Sequence, residues 1–273
     1  MSRHHPLFIL LAIALIALAG CGDGDEAYEI HPDDRWNPEE PAAWFTADHG
    51  DSLHTSDDAV ERWDDLAGNF DAVNELGQTN PTLDEVDGRP SVYFNEDGLQ
   101  LSEAEDIFRN REQFAVLAIY QPDSNQETAS LIFFNSLPES RGLRRATLGF
   151  RSDEHGVVLA GRRQDSDSIV RIYSDEAPSL GQPLAQVNEF DHTANRARIV
   201  LNDGTPTVEA PFLGSGPTSD TASLGTFIGT TADDGRRIGD VHLHELVVYQ
   251  RLPSQDEIDA FFDHARDHWD VDL

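Results

Sequence analysis

Histidines and carboxylates are the side chains of this sequence with chemical reach. His242 and His244 alternate with Val241 and Leu243, so on a strand they share the outward face. His264 and His268 lie one helical turn apart, the spacing at which two imidazoles can meet one metal ion. A zinc site built from these four would need the helix to dock on that strand face, and no cysteine completes the set. All four are therefore expected to be ordinary surface residues. Acids two apart on a strand would project to one face and could stand ~5 Å apart, as retaining glycoside hydrolysis requires. Glu85-Val86-Asp87 instead runs into the turn formers Gly88-Arg89-Pro90, and Glu103-Ala104-Glu105-Asp106 lacks a strand pattern. No catalytic residue is assigned. Asn95-Glu96-Asp97 and Asp233-Asp234 are oxygen-rich loops suited to a hard cation, which would be calcium.

The lone cysteine has a different chemistry. A short stretch with Arg3 precedes an apolar run from Leu7 to Leu18, too short for a spanning helix of ~20 residues but of signal-peptide length. Leu18-Ala19-Gly20-Cys21 follows. It resembles the lipobox of bacterial lipoproteins, a family in which the signal is cut before the cysteine and the cysteine is acylated. The resemblance implies a signal peptide over 1–20 and a lipid on Cys21, with two or three chains giving stable anchoring. Residue 22 is Gly. It is not the Asp that signals inner-membrane retention in enterobacterial lipoproteins, so an outer-membrane destination is expected if the cell has two membranes. With one cysteine there is no intramolecular disulfide, and stability must come from burial.

Asp and Glu number 51 against 19 Lys and Arg, a net charge of −32, and none of the cations is lysine. Such a charge repels nucleic acid and anionic headgroups, so neither is an expected partner. The acids are spread along the whole chain, the pattern of a protein adapted to high salt, where the Debye length shrinks to ~3 Å at 1 M.

The elements that must position these groups are mostly strands. Residues 21–41 are acidic and rich in turn formers, a spacer too polar to bury a core. Beyond them, Phe114–Tyr120, Leu131–Phe134, Val157–Ala160, Ile169–Tyr173, Arg198–Leu201 and Leu246–Tyr249 are short, β-branched or aromatic, and bounded by turn formers. Asn202-Asp203-Gly204 marks a hairpin turn. One helix is expected, over 254–269. Ser254-Gln255-Asp256-Glu257 is a capping box, and Ile258, Phe261, Phe262, Ala265 and Trp269 share a face. Many short strands without intervening helices indicate a two-sheet sandwich.

Three groups of segments, in order, carry a resemblance. They are Ala43–Asp48 with Arg62-Trp63-Asp64-Asp65-Leu66-Ala67-Gly68-Asn69; Asn80–Leu83 with Asp87-Gly88-Arg89-Pro90-Ser91-Val92-Tyr93-Phe94; and Gly225–Gly229 with His244–Tyr249 and Leu252-Pro253-Ser254. Together they resemble the laminin-G-like domains of the concanavalin A-like lectin/glucanase superfamily, across roughly residues 42–270. Ala67, Asp87 and Val241 depart from that family's usual Ser, Asn and Gly. The resemblance implies an all-β, two-sheet antiparallel jelly-roll sandwich over 42–273, closed by the terminal helix. It implies glycans or glycoproteins as the ligand class, and an ion on oxygen ligands at a sandwich edge. A divergent polysaccharide hydrolase and a structural or adhesion protein that contacts another envelope protein remain alternatives. From the residues alone, Trp44 and Trp63 are large apolar anchors, Asp65 caps a tight turn with Gly68 free to take φ > 0, and Arg89-Pro90 is extended.

Overall fold

The computed structural model describes residues 36–272 except 75–78, 96, 124–129, 137–143, 152–155, 176, 203, 213 and 230–239. Cys21, the signal segment, Glu96, Asp233 and Asp234 lie outside the described residues.

The described chain is all-β with one terminal helix. Its strands are β1 (Ala43–Thr46), β2 (Leu53–Ser56), β3 (Ala59–Trp63), β4 (Ala72–Val73), β5 (Thr82–Val86), β6 (Arg89–Phe94), β7 (Leu99–Leu101), β8 (Gln113–Pro122) and β9 (Ser130–Ser136). They continue as β10 (Arg144–Arg151), β11 (Gly156–Gly161), β12 (Val170–Tyr173), β13 (Leu184–Asp191), β14 (Arg196–Leu201), β15 (Thr205–Pro211), β16 (Gly225–Ile228) and β17 (Val241–Tyr249). Helix α1 spans Gln255–Trp269. Each segment singled out by its apolar, β-branched run falls within a strand of this set, save that β12 begins at Val170 and leaves out Ile169.

Every described ladder is antiparallel, and the strands follow two hydrogen-bonded arrays. One runs β5-β6-β17-β8-β13-β14-β15, with β1 continuing alongside the C-terminal half of β17. The other runs β12-β11-β10-β9-β16-β7-β4-β3-β2. A single bridge, Ala59 to Thr82, joins them through β3 and β5.

Alternation along the strands separates two cores. Phe114, Val116, Ala118 and Tyr120 of β8 point into the main core with Phe133, Leu148, Phe150 and Leu159 of the second array. Ala115, Leu117 and Ile119 point the other way, toward Ile258, Phe261, Phe262, Ala265 and Trp269 of the helix. The first array is thus buried on both faces wherever α1 covers it.

The helix starts where the capping box places it. Ser254 Oγ accepts from the Glu257 backbone N–H (3.2 Å), and the Ser254 N–H donates to Glu257 Oε2 (2.7 Å). Arg251 on the Glu257 carboxylate holds its pKa down to about 2. Asp65 behaves as a turn cap should: its two oxygens accept the backbone N–H groups of Trp44, Ala67, Asn69 and Phe70 at 2.7–2.9 Å, and Gly68 takes φ 76°. Burial still lifts the Asp65 pKa above the ordinary carboxylate value, so the four donors only partly offset desolvation. Trp63 is fully buried, as an anchor should be. Trp44 is only half-buried; it packs against the smaller, helix-side core.

Candidate functional site

The outer face of β17 carries the groups that could act, and they divide between a sealed end and an open one. At the sealed end, Glu245 is 1% exposed beneath α1. Trp44 Nε1–H donates to its Oε1 (2.7 Å), and His264 Nε2 lies 2.8 Å from Oε2. Trp269 Nε1–H is 3.1 Å from both Glu245 Oε2 and His264 Nε2. A carboxylate can only accept, so His264 supplies the proton of its own contact and the Trp269 donor is aimed at the carboxylate. Three N–H groups from β1 and α1 therefore converge on one buried carboxylate. One turn on, His268 Nε2 contacts Asp48 Oδ2 (3.0 Å), and its ring stacks on that of His264 at 5.1 Å.

The expectation of four surface histidines is overturned, by helix docking at His244, His264 and His268 and by Ser91, Tyr93 and Asp123 around His242. His242 is 5% and His244 is 2% exposed, and the side chains of His264 and His268 are 9% and 12% exposed. The helix does meet the strand face, as a zinc site would require. Between the two lies Glu245, which already accepts His264, and among the described residues no group of three or more His, Cys, Asp or Glu could hold a metal ion. Of the residues expected at a calcium loop, Asn95 and Asp97 are described. The Asn95 N–H donates to Asp97 Oδ1 (3.0 Å), and burial pushes the Asp97 carboxyl up to about 7.

At the open end, β17 passes beyond the helix and pairs with β6. His242 bridges Ser91 Oγ (2.9 Å from Nδ1) and Asp123 Oδ2 (2.6 Å from Nε2), with Tyr93 stacked on the ring at 4.6 Å. A hydroxyl, an imidazole and a carboxylate in sequence are the parts of a nucleophilic relay. Ser91, however, is 0% exposed, so no substrate atom reaches its oxygen, and the chain of bonds serves to fix His242. Gln121 Nε2 donates to the other oxygen of Asp123 (3.2 Å) and connects this relay to a cavity next to it.

That cavity has a volume of about 100 Å³. On a scale where one water needs ~10–15 Å³, it holds a small polar solute. His244 and Trp269 line it on the helix side, Arg89 and the Asp87 turn on the β6 side, and Gln121 and Gln182 on the β8–β13 side; Asp270 and Asp272 come from the chain just after α1. Local sequence explains the positions. Asp87 (φ 52°) and Gly88 (φ 78°) make the tight left-handed turn between β5 and β6, with Arg89 straight after it. Asp270 (φ 58°) is the left-handed C-cap that ends the helix at the cavity edge. Arg89 Nε–H donates to the His268 carbonyl (3.0 Å) at the negative helix end, and Arg89 Nη2 is 3.6 Å from Asp270 Oδ2. His244 Nδ1 is 3.0 Å from the Pro90 carbonyl and so must carry the proton, which leaves Nε2 as a lone-pair acceptor. Burial drops the His244 pKa to about 4, keeping the ring neutral. A larger open depression of about 370 Å³ lies between residues 40–42 and Asn69, Phe70, Gln250 and Arg251, but none of its lining residues is buried.

Sequence reasoning singled out His242, His244, His264 and His268 as residues, though not their burial. It missed Glu245, whose signal was a lone acid inside the apolar run Leu243–Tyr249. Gln121 and Gln182 gave no signal, because two amides distant in sequence meet only through the β8–β13 pairing.

No family model matches the sequence, and a search of curated proteins finds no match. Solved structures do match in fold. Domain 4 of AbnA, a GH43 extracellular arabinanase from Geobacillus stearothermophilus solved with arabinotriose, aligns at TM-score 0.57 and 14% identity, over 82% of this chain and 99% of that one. The CBM40 of Ruminococcus gnavus IT-sialidase, bound to α2,3 sialyllactose, aligns at 0.51 and 17%, over 61% and 92%. Trypanosoma rangeli sialidase aligns at 0.53 and 13%, over 83% of this chain, which spans about a third (33%) of the sialidase's length. At these identities the likeness is one of fold: an all-β, antiparallel architecture shared with domains of carbohydrate-active proteins.

Proposed function

We propose that this chain is an exported lipoprotein, acylated on Cys21, that displays a non-catalytic glycan-binding domain of concanavalin A-like jelly-roll topology at the cell envelope. The observation that carries the binding reading is the polar cavity beside His244, lined by amide, carboxylate, guanidinium and imidazole groups at the C-terminal end of α1. Sugar recognition uses such convergent polar groups. Two of the fold neighbours are named for complexes with arabinotriose and sialyllactose, which supports glycans as the ligand class. The pairing of β1 with β17, which sets the first described strand beside the last within one antiparallel array, supports the jelly-roll topology. Against an apolar protein-docking role, Leu224 is the only large hydrophobic side chain exposed among the described residues. The absence of catalysis is supported by the burial of Ser91 and by the position of the cavity's carboxylates on a turn and the chain end.

The test is a glycan array probed with the exported chain carrying Cys21→Ser, at low and molar salt, with and without calcium. Binding to a defined glycan set is expected, and silence under every condition sinks the reading. For the anchor, a fatty-acid analogue should label the wild type and leave Cys21→Ser unlabelled.

A further inference from the structure

The cavity's hydrogen-bonding inventory is lopsided. Its one cation, Arg89, gives its Nε–H to the His268 carbonyl and has Nη2 3.6 Å from Asp270 Oδ2. Facing it are the carboxylates of Asp87, Asp270 and Asp272, and the Nε2 lone pair of His244, a side chain 2% exposed with only its other ring nitrogen bonded to protein. The amides of Gln121 and Gln182 add one acceptor each and one further N–H donor each, the other donor being given to Asp123 and to the Gly181 carbonyl. A ligand there meets mostly acceptors and must bring donors, which hydroxyl and ammonium groups do. A sugar carboxylate would find three carboxylates against one guanidinium, whose Nε–H is taken by the His268 carbonyl and whose Nη2 lies beside Asp270, so the local charge it meets is net negative.

We infer that the cavity beside His244 takes a sugar unit that is uncharged or bears a free amine and rejects acidic sugars; this rests on the glycan-binding reading above and gives that site its ligand chemistry. The specificity is set by Asp87 and Asp270, which hold the field negative, Asp270 Oδ2 lying 3.6 Å from Arg89 Nη2. It is the opposite preference to that of the CBM40 neighbour, which is bound to a sialylated sugar.

The experiment is calorimetric titration of the full exported chain with lactose, the glucosamine disaccharide and α2,3-sialyllactose, in 1 M salt. At that salt the Debye length is ~3 Å, so the repulsion from the overall charge of −32 is screened and a local preference is what remains. Lactose or the glucosamine disaccharide should bind at least about tenfold more tightly than sialyllactose. The paired variant Asp87→Asn with Asp270→Asn should bring that ratio toward one, because it removes two of the three lining carboxylates, including the one beside Arg89. Both positions have positive φ, a conformation asparagine accepts, so the variant should fold. Equal or tighter binding of sialyllactose by the wild type overturns the inference and leaves glycan binding intact. So does a ratio that the paired variant leaves unchanged. Failure to bind any of the three, or any sugar on the array, removes the glycan-binding reading and the inference with it.

Discussion

The two stretches of β17 on either side of the His244–Glu245 junction present buried polar side chains to the same outer face, yet they are used differently. Beneath α1, Glu245 is saturated by Trp44, His264 and Trp269 from two separate elements, and the apolar face of the helix seals it. One and three residues back along the strand, His244 and His242 are also buried, but the helix ends there, and His244 looks into a cavity with an acceptor to spare. A buried polar group whose bonds are all made within the chain is architecture. One left with unused capacity beside open volume is a place for a ligand. The comparison says that substitutions at the sealed end should cost stability, and those at the open end should cost binding.

The largest effect is expected from Glu245→Ala. It strands three buried N–H donors and opens a hole under the helix, a loss on the order of 3–5 kcal/mol. For a domain of this size, that corresponds to a fall in Tm of ~10 °C or more, read by circular dichroism. A variant melting within ~2 °C of the wild type would break the comparison, because the sealed end would then not be holding the helix.

Acid should act next most strongly. The folded-state pKa values of His192 and His244 are both about 4, lowered mainly by burial from 6.5. Above pH 6.5 both states are neutral and nothing is gained or lost. Between 6.5 and 4 the unfolded chain takes up protons that the folded one refuses, so stability falls as pH falls; below about 4 the loss is complete. Each histidine is worth roughly 3 kcal/mol across that window. Asp97, raised to about 7 by burial, acts the other way: as pH falls from about 7 toward 3.8, the folded state gains a proton first and stability rises. The net expectation is a decline of about one histidine's share, followed as Tm against pH. His192→Phe, placed between Phe114 and Phe212, should flatten the curve, and Asp97→Asn should steepen it. A wild-type curve that rises toward pH 4 would contradict the assigned directions.

A smaller loss tests whether helix docking or helix formation sets stability at the sealed end. Ser254→Ala removes the side-chain half of the capping box and should cost ~1 kcal/mol. A cost near that of Glu245→Ala would mean that the helix, once frayed, undocks as a unit.

What could be read in advance divides along physical lines. The strands and the capping box were legible because each depends on a local pattern: apolar runs of strand length, or Ser254 three residues before Glu257. The Asp65 turn was legible for the same reason, since its donors at Ala67, Asn69 and Phe70 are close by in sequence. The burial of the four histidines was not. Their faces were placed correctly on strand and helix, but whether a face is wet depends on what docks there, and β17 and α1 meet only after the sheet has formed. Glu245 was passed over because one acid among 51 Asp and Glu carries little weight until its surroundings are known. The cavity is least legible of all. Its walls come from the β5–β6 turn, the end of β8, the start of β13 and the tail of the chain, and only the folded register collects them.

The open end is tested most sharply by a change that should leave stability alone. Gln182 is an exposed cavity residue whose described side-chain bond is to the neighbouring Gly181 carbonyl (2.9 Å). Gln182→Ala should therefore shift unfolding by no more than ~0.5 kcal/mol, the range of ordinary surface substitutions. If the cavity binds sugar, the same change removes one of two amides from its wall. Losing one such hydrogen bond to a neutral ligand should weaken binding by about tenfold or somewhat less. Stability and affinity are then read on the same protein, by melting and by titration. A drop in Tm comparable to that of Ser254→Ala would show that the open end is structural too. Unchanged affinity with unchanged stability would move the ligand away from this cavity, and with it the division of β17 into a sealed end that holds the fold and an open end that meets the ligand.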